Sequence, residues 1–313
     1  MTTSIAADPR SWRADTIDSP REWYVSLSPR SIAALYDAGS CRDRSRPLTG
    51  LRASTELTAA CTEDIGQVLQ ALEEGRGFAI IQIGQSGTYS SEALTAMYWL
   101  IGELLGTPIE QNVQGTLLYD VRDTGQDVRY GARFSVTNAE SSFHTDNSFG
   151  NEVLDYVGLL CLNTAKSGGE SQIVSGIRVL NEIRAKHPDA WDILRQPFHV
   201  HRRGGLRPGD GPTIRFPVHS GDDANPVIRY LRYWIEAGHE KAQQPLTDQQ
   251  VESLDCLDRV ASDPSLRVEF VLRPGEMLFV NNRWILHNRT AFEDYPEPER
   301  RRHYVRLWVR RTG

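Results

Sequence analysis

The spacing of apolar residues changes along this 313-residue chain, and the change divides it into two halves of different character. Over residues 62–74 the apolar positions fall at Ile65, Val68, Leu69 and Leu72, the three-to-four spacing of a helix with one buried face. Gly75 and Gly77 end that run, and residues 78–83 (Phe-Ala-Ile-Ile-Gln-Ile) read as a buried strand. A second helix is predicted over 91–105, opened by serine and closed by Gly106-Thr107-Pro108. Residues 1–60 are polar, with Pro9, Pro20, Pro29 and Pro47 spread through them, and read as short helices and loops wrapping the body.

Beyond that point the pattern is one of short strand-like runs. They fall at 116–121, 155–163, 170–174, 198–201, 213–218, 227–233, 268–272, 277–280, 284–287 and 303–309. Two helices interrupt them, one after the Ser175 cap and one over 248–261. Many short strands with Gly and Pro turns favour a sandwich or barrel over an alternating β-α-β sheet. The expectation is a mainly β chain with flanking helices, a jelly roll forming one domain over 1–313 with its core at 75–310.

Composition narrows the class of function. A net charge of −6 leaves no basic footprint with which to displace counterions from a nucleic acid. Cys41, Cys61, Cys161 and Cys256 show no zinc or Cys-x-x-Cys spacing and read as reduced thiols. Cys161, inside the apolar run 157–162, reads as a small core residue. Residues 1–15 lack the apolar stretch of a signal peptide, and no run is long enough to span a bilayer. A cytoplasmic protein with a small-molecule substrate, and with neither nucleic acid nor membrane as partner, is expected.

The chemistry-bearing residues come in three groups. His144 and Asp146, two apart in an extended segment, point to one side and offer an imidazole nitrogen and a carboxylate oxygen to a single metal. Taken alone, such a pair is more often a surface pair. His287 ends the apolar run 284–287, where the bland reading is a buried core histidine. Together the three make a two-His, one-carboxylate set, which suits Fe(II) and leaves positions open for a chelating cosubstrate and O2. Arg302 and Arg306 fall on one face of the 303–309 run with Tyr304 and Trp308. A buried guanidinium is costly unless it meets an anion, and a dicarboxylate would supply one; a solvated basic strand is the alternative, and fits Arg300, Arg310 and Arg311 better.

These segments resemble the taurine dioxygenase and clavaminate synthase-like family of Fe(II)/2-oxoglutarate oxygenases. The resemblance rests on His144-Thr145-Asp146, Gly168-Gly169-Glu170-Ser171, Pro274-Gly275-Glu276 and the stretch from Asn282 through His287 to Arg302 and Arg306. It covers residues 75–310 in the family's order. It implies a double-stranded β-helix, Fe(II) and 2-oxoglutarate with O2, and hydroxylation with release of succinate and CO2; desaturation or cyclisation would use the same residues. It further implies that the Ser171 hydroxyl, where the family has threonine, and Arg302 hold the distal carboxylate of 2-oxoglutarate. Arg301 is the alternative if the register slips, and Arg306 is implied as the anchor of an anionic substrate. Retention of Asp146 disfavours halogenation.

Other motifs have plainer readings. His199 and His201 read as a strand whose basic residues line the substrate entrance or meet solvent, with a second metal site as the lesser alternative. Residues 204–211, rich in glycine, read as a loop or lid, and 293–299 as an exposed acidic loop. The alternating basic and aromatic run 229–234 reads as barrel packing. An idle jelly roll sensing 2-oxoglutarate or a metal, and a zinc hydrolase, are the competing functions.

Overall fold

The structure, a computed structural model, describes residues 8–17, 19–85, 87–126, 134–203 and 209–312. Residues 1–7 of the expected wrap and 204–208 of the glycine-rich segment lie outside the described residues.

Two sheets face one another. The larger has seven strands in the order Tyr24–Ser26, Phe78–Gln82, Met277–Asn281, Tyr156–Asn163, His303–Arg310 and Thr107–Ile109, with Leu118–Val121 also pairing on His303–Arg310. The smaller holds Ser171–Ser175 between Arg267–Phe270 and Ile285–Arg289. Every residue of Met277–Asn281 is buried, as is most of Tyr156–Asn163, because both faces of the larger sheet are covered. Alternation along these strands feeds two cores. Tyr156, Leu160, Phe279, Val305 and Leu307 pack on Leu35, Val68, Leu72 and Trp99 of the helices Pro29–Ser40, Thr55–Glu73 and Ser91–Leu105. Val157, Leu278, Val280, Tyr304 and Trp308 turn the other way, towards Ile173, Ile285 and Leu286 of the smaller sheet. The jelly roll expected from the strand pattern is thus present, and its interior face is where the chemistry-bearing side chains meet.

Several elements depart from the sequence-based expectations. The helix expected over 62–74 begins two turns earlier, at Thr55, where the Ser54 hydroxyl accepts from the Leu57 N–H. Its first turns point mostly to water, so only Leu57 and Cys61 mark them as helical. Pro29–Ser40 is a full helix capped by Ser28. Among the described residues four helices, not two, interrupt the later strands: Gly176–Lys186, Pro188–Leu194, Arg232–Lys241 and Asp248–Ala261. The strand expected over 227–233 stops at Ile228. Arg232–Lys241 is helical because Trp234, Ile235, Gly238 and His239 form a buried stripe at helical spacing, and Arg232 pairs with Glu236 one turn on. Gly238 lies against the Pro197–His201 strand, where an added Cβ would come within 2.4 Å of the His199 carbonyl.

Candidate active site

Main-chain pairing brings the two histidines together. His144 and His287 form an isolated antiparallel bridge, each N–H donating to the other's carbonyl at 3.0 Å. Directly opposed residues of such a pair project to one side, and the two rings lie 4.4 Å apart between centroids. Asp146 follows on the same face. Its Oδ1 lies 3.5 Å from His144 Nε2 and 3.8 Å from His287 Nε2. One ligand atom from each of the three residues falls within 4.8 Å of the others, the single such group among the described residues.

The surroundings fix which atoms are offered. His144 Nδ1 donates to the Ser142 carbonyl at 2.7 Å, leaving Nε2 as the basic nitrogen facing the cavity. Burial, then the neighbouring His144, lowers the His287 pKa against the pull of Asp146, so this ring stays neutral, the form that donates a lone pair. Burial alone would raise the Asp146 carboxyl; Arg306, and after it the two neighbouring histidines, outweigh burial and hold the group well below the carboxylate range. Asp146 Oδ2 is occupied by Trp308 Nε1 at 2.8 Å and Arg306 Nη1 at 3.0 Å. Oδ1 is therefore the oxygen turned to the histidines. Asn282 clamps the backbone here, accepting from the Asp146 N–H and donating to its carbonyl. This donor set of two imidazoles and one monodentate carboxylate, with no thiolate, fits Fe(II).

A cavity of about 160 Å³ opens on these residues, room for a small organic acid and not merely a water molecule. Register explains its wall. Arg306 pairs with Leu159 and Trp308 with Val157 across the two long strands, and all four line the cavity. On the smaller sheet, Ser171 is opposed by Arg289; both line the cavity beside Arg302. Arg302 is 3% exposed and stacks on the Tyr304 ring at 3.9 Å, with Phe292 at 5.2 Å. Its Nε and Nη1 have no hydrogen-bond partner. Burial lowers its pKa, with Tyr304, Cys161 and Asp294 opposing. Unpaired N–H groups on a buried cation are expensive, and a carboxylate is the group that would satisfy them, which is the fit expected for 2-oxoglutarate. Gly168-Gly169 makes room: both have positive φ, and a Cβ on Gly168 would sit 2.2 Å from the Ala291 carbonyl.

Arg301, the alternative, is exposed, bonds the Tyr295 and Pro296 carbonyls and takes no part in this cavity's wall, a correction to its candidacy. Arg302 shares the two-residue period of Arg306 and Trp308, which places it on the cavity side; the register shift at His303/Tyr304 skips Leu162 of the opposed strand. His199 and His201 join no metal-ligand group among the described residues. Three residues were not singled out from sequence. Arg289 lies two positions after His287, a spacing that pointed to the same face; Thr137 and Ala139 carbonyls hold it, and burial, then Arg302, pushes its pKa down to about 9. Trp308 had only its place beside Arg306 to mark it. Gln111 had no signal: it reaches in from a loop, accepts from Arg306 Nε at 2.8 Å and is itself anchored to the Leu117 and Arg306 carbonyls.

Comparison with known proteins agrees with this geometry. Residues 44–308 match the taurine catabolism dioxygenase TauD, TfdA family. FR-33289 synthase of Streptomyces rubellomurinus is 26% identical over 95% of this chain and 88% of that protein. A uridine-5'-phosphate dioxygenase of Amycolatopsis is 30% identical over 60% of this chain and 66% of its own length. Among solved structures, asparagine oxygenase with Fe(II), hydroxyasparagine and succinate superposes with a TM-score of 0.65 at 19% identity, covering 92% of this chain and 93% of that one. The non-heme iron oxygenase OrfP with iron and α-ketoglutaric acid gives 0.67 at 18%, covering 91% and 93%; at such identities these two likenesses carry the fold. The match over most of the chain makes this protein a member of the taurine catabolism dioxygenase TauD, TfdA family, an Fe(II)- and 2-oxoglutarate-dependent oxygenase of double-stranded β-helix fold.

Proposed function

We propose that His144, Asp146 and His287 ligate the iron, that Arg302 with Ser171 holds the distal carboxylate of 2-oxoglutarate, and that Arg306 receives an acidic group of a small-molecule substrate. The observation that carries this reading is the buried Arg302 guanidinium, with two unsatisfied nitrogens in the wall of the cavity onto which the three ligand side chains open. Iron and 2-oxoglutarate bound there supply dioxygen activation coupled to oxidative decarboxylation, giving succinate, CO2 and a hydroxylated substrate. The chain's own share is positional. Trp308 and Arg306 hold Asp146 Oδ2, so the carboxylate offers one oxygen and leaves coordination positions for cosubstrate and dioxygen. Val157 and Leu159 keep that side of the cavity apolar. Gln111 orients Arg306, and Arg289 ties the 137–139 segment to the wall.

The substrate is a small metabolite with at least one acid group, an amino acid or a carboxylate- or phosphate-bearing intermediate of secondary metabolism. The uridine-5'-phosphate dioxygenase relative is named for a substrate of the phosphate kind. The chain acts as one domain; Trp12 and Ser175 support this, the first donating to Arg76 and the second to Arg10 across the fold. No described helix is long and apolar enough to cross a membrane; the buried free Cys61, Cys161 and Cys256 suit a reducing, cytoplasmic setting, and the net charge of −6 argues against a nucleic-acid partner.

The test is an anaerobic titration. Fe(II) and 2-oxoglutarate added to the wild-type protein should give the visible charge-transfer absorption of a chelated cosubstrate. His144→Ala and His287→Ala should each abolish it. Survival of the band in either variant would remove that residue from the ligand set.

A further inference from the structure

Arg302 has a cationic neighbour in the same wall. Arg289 lies two positions beyond His287 on the Ile285–Arg289 strand, so both side chains project to the face that carries the metal ligands. Across the smaller sheet Arg289 is directly opposed to Ser171, and His287 to Ile173. Both guanidiniums rest on one ring, Arg289 at 4.7 Å and Arg302 at 5.2 Å from the Phe292 centroid. Ser171, Arg289 and Arg302 thus gather at one end of the cavity. The step from His287 to Arg289 covers about 7 Å of strand. A five-carbon diacid chelated through its 2-oxo acid end carries its distal carboxylate over a similar reach.

The hydrogen bonds of Arg289 leave its charge unanswered. Nη1 donates to the Thr137 carbonyl and Nη2 to the Ala139 carbonyl. These neutral acceptors fix the plane of the fork and bring no negative charge. Nε and one N–H on each Nη have no partner among the described residues. Asp123, Asp294 and Glu140 act on the group without forming an ion pair with it. Arg302 has the same want, with Nε and Nη1 orphaned. Two guanidiniums in one buried wall repel, and exclusion of water strengthens the repulsion. An anion shared by them relieves both costs at once.

We infer that Arg289 is a second cosubstrate-binding arginine, whose free N–H edge shares the distal carboxylate of 2-oxoglutarate with Arg302 and Ser171. This deepens the proposed oxygenase reading and rests on it. An ionised carboxylate has about four lone-pair sites, enough for two guanidiniums and a hydroxyl, so Arg302 gives nothing up. The pair makes the site selective for a diacid: a 2-oxo acid of the same length without the distal carboxylate leaves two cations unanswered instead of one. The Thr137 and Ala139 carbonyls hold Arg289 in place before the cosubstrate arrives.

Titration of the Fe(II)-loaded protein under nitrogen, read by the charge-transfer band, tests the assignment. The probes are 2-oxoglutarate and 2-oxopentanoate, which has the same carbon chain and no distal carboxylate. Arg289→Gln should weaken 2-oxoglutarate by about tenfold or more, the scale of a lost charge-assisted hydrogen bond, and leave 2-oxopentanoate unchanged. Arg289→Lys should recover part of the loss. A residue that only holds the 137–139 segment would weaken both probes alike; that result overturns the inference, as does unchanged 2-oxoglutarate affinity. If Arg289→Gln does not fold, Arg302→Gln combined with Ser171→Ala decides. With Arg289 alone left, 2-oxoglutarate should still be preferred by about tenfold over 2-oxopentanoate; a preference erased outright leaves Arg289 no share. Absence of the band in the wild-type protein would instead sink the iron and cosubstrate reading, so the two failures are told apart.

Discussion

His144 and His287 have ring centroids 4.4 Å apart; His199 and His239 lie 5.3 Å apart, edge to face. The second pair spends its nitrogens on the fold. His239 Nδ1 donates to the Gln244 carbonyl and its Nε2 accepts from the His199 N–H, while His199 Nε2 meets Gln244 Oε1. In the first pair His144 has only Nδ1 tied to main chain, and both Nε2 atoms converge on a carboxylate oxygen. Proximity of imidazoles is thus a poor guide to metal chemistry. The lone pairs left over after the backbone has been served, and a shared acid, are what separate the two clusters.

The contrast is most easily broken at Asp146. Asp146→Ala should end succinate formation and lower Fe(II) affinity by more than the roughly 10–100-fold typical of losing an outer partner of a ligand; anaerobic calorimetry and a coupled succinate assay check it. Retained turnover would leave the two histidine pairs functionally alike. Next in size, Arg302→Ala should weaken 2-oxoglutarate by about 2–5 kcal/mol, the usual cost of truncating one partner of a buried charge pair, with Fe(II) affinity kept. An unchanged KM for 2-oxoglutarate would take the cosubstrate away from Arg302. On the other pair, His239→Phe strips the His199 N–H of its acceptor. It should cost about 1–3 kcal/mol in urea unfolding and leave Fe(II) binding untouched; loss of iron would merge the clusters.

The smallest effect is a pH slope. Burial, then His199 and Arg215, lowers the His239 pKa below its ordinary value. The folded chain then binds fewer protons than the unfolded one below about pH 6.5. The stability this residue contributes is full above that pH and falls as pH drops towards the folded pKa. His239→Phe should flatten that part of the stability profile; an identical slope in both proteins would show the ring titrating freely.

Legibility from sequence followed the same divide between local and distant order. His144, Asp146, His287 and Arg302 could be read because strand periodicity fixes which side chains share a face, and each lies in or beside a strand. Arg302 over Arg301 follows the same rule: Arg302, Arg306 and Trp308 keep the two-residue period and line the cavity, while the register shift at His303/Tyr304 skips Leu162 of the opposed strand. The Arg232–Lys241 helix was hidden because Arg229-Tyr230-Leu231-Arg232-Tyr233 alternates like a strand, whereas Tyr230 is held by Asp258 and the helix by its packing on Pro197–His201. Gln111 was invisible for the same reason: only the folded chain brings it to Arg306.

The hydrogen bond from the Trp308 indole to Asp146 spans 162 positions of chain. Closing so wide a loop costs chain entropy that must be spent before the contact gives anything back. A half-formed chain has no coordination sphere to present. Iron bound there rewards the finished fold, so loading the metal should raise the unfolding midpoint of the assembled chain.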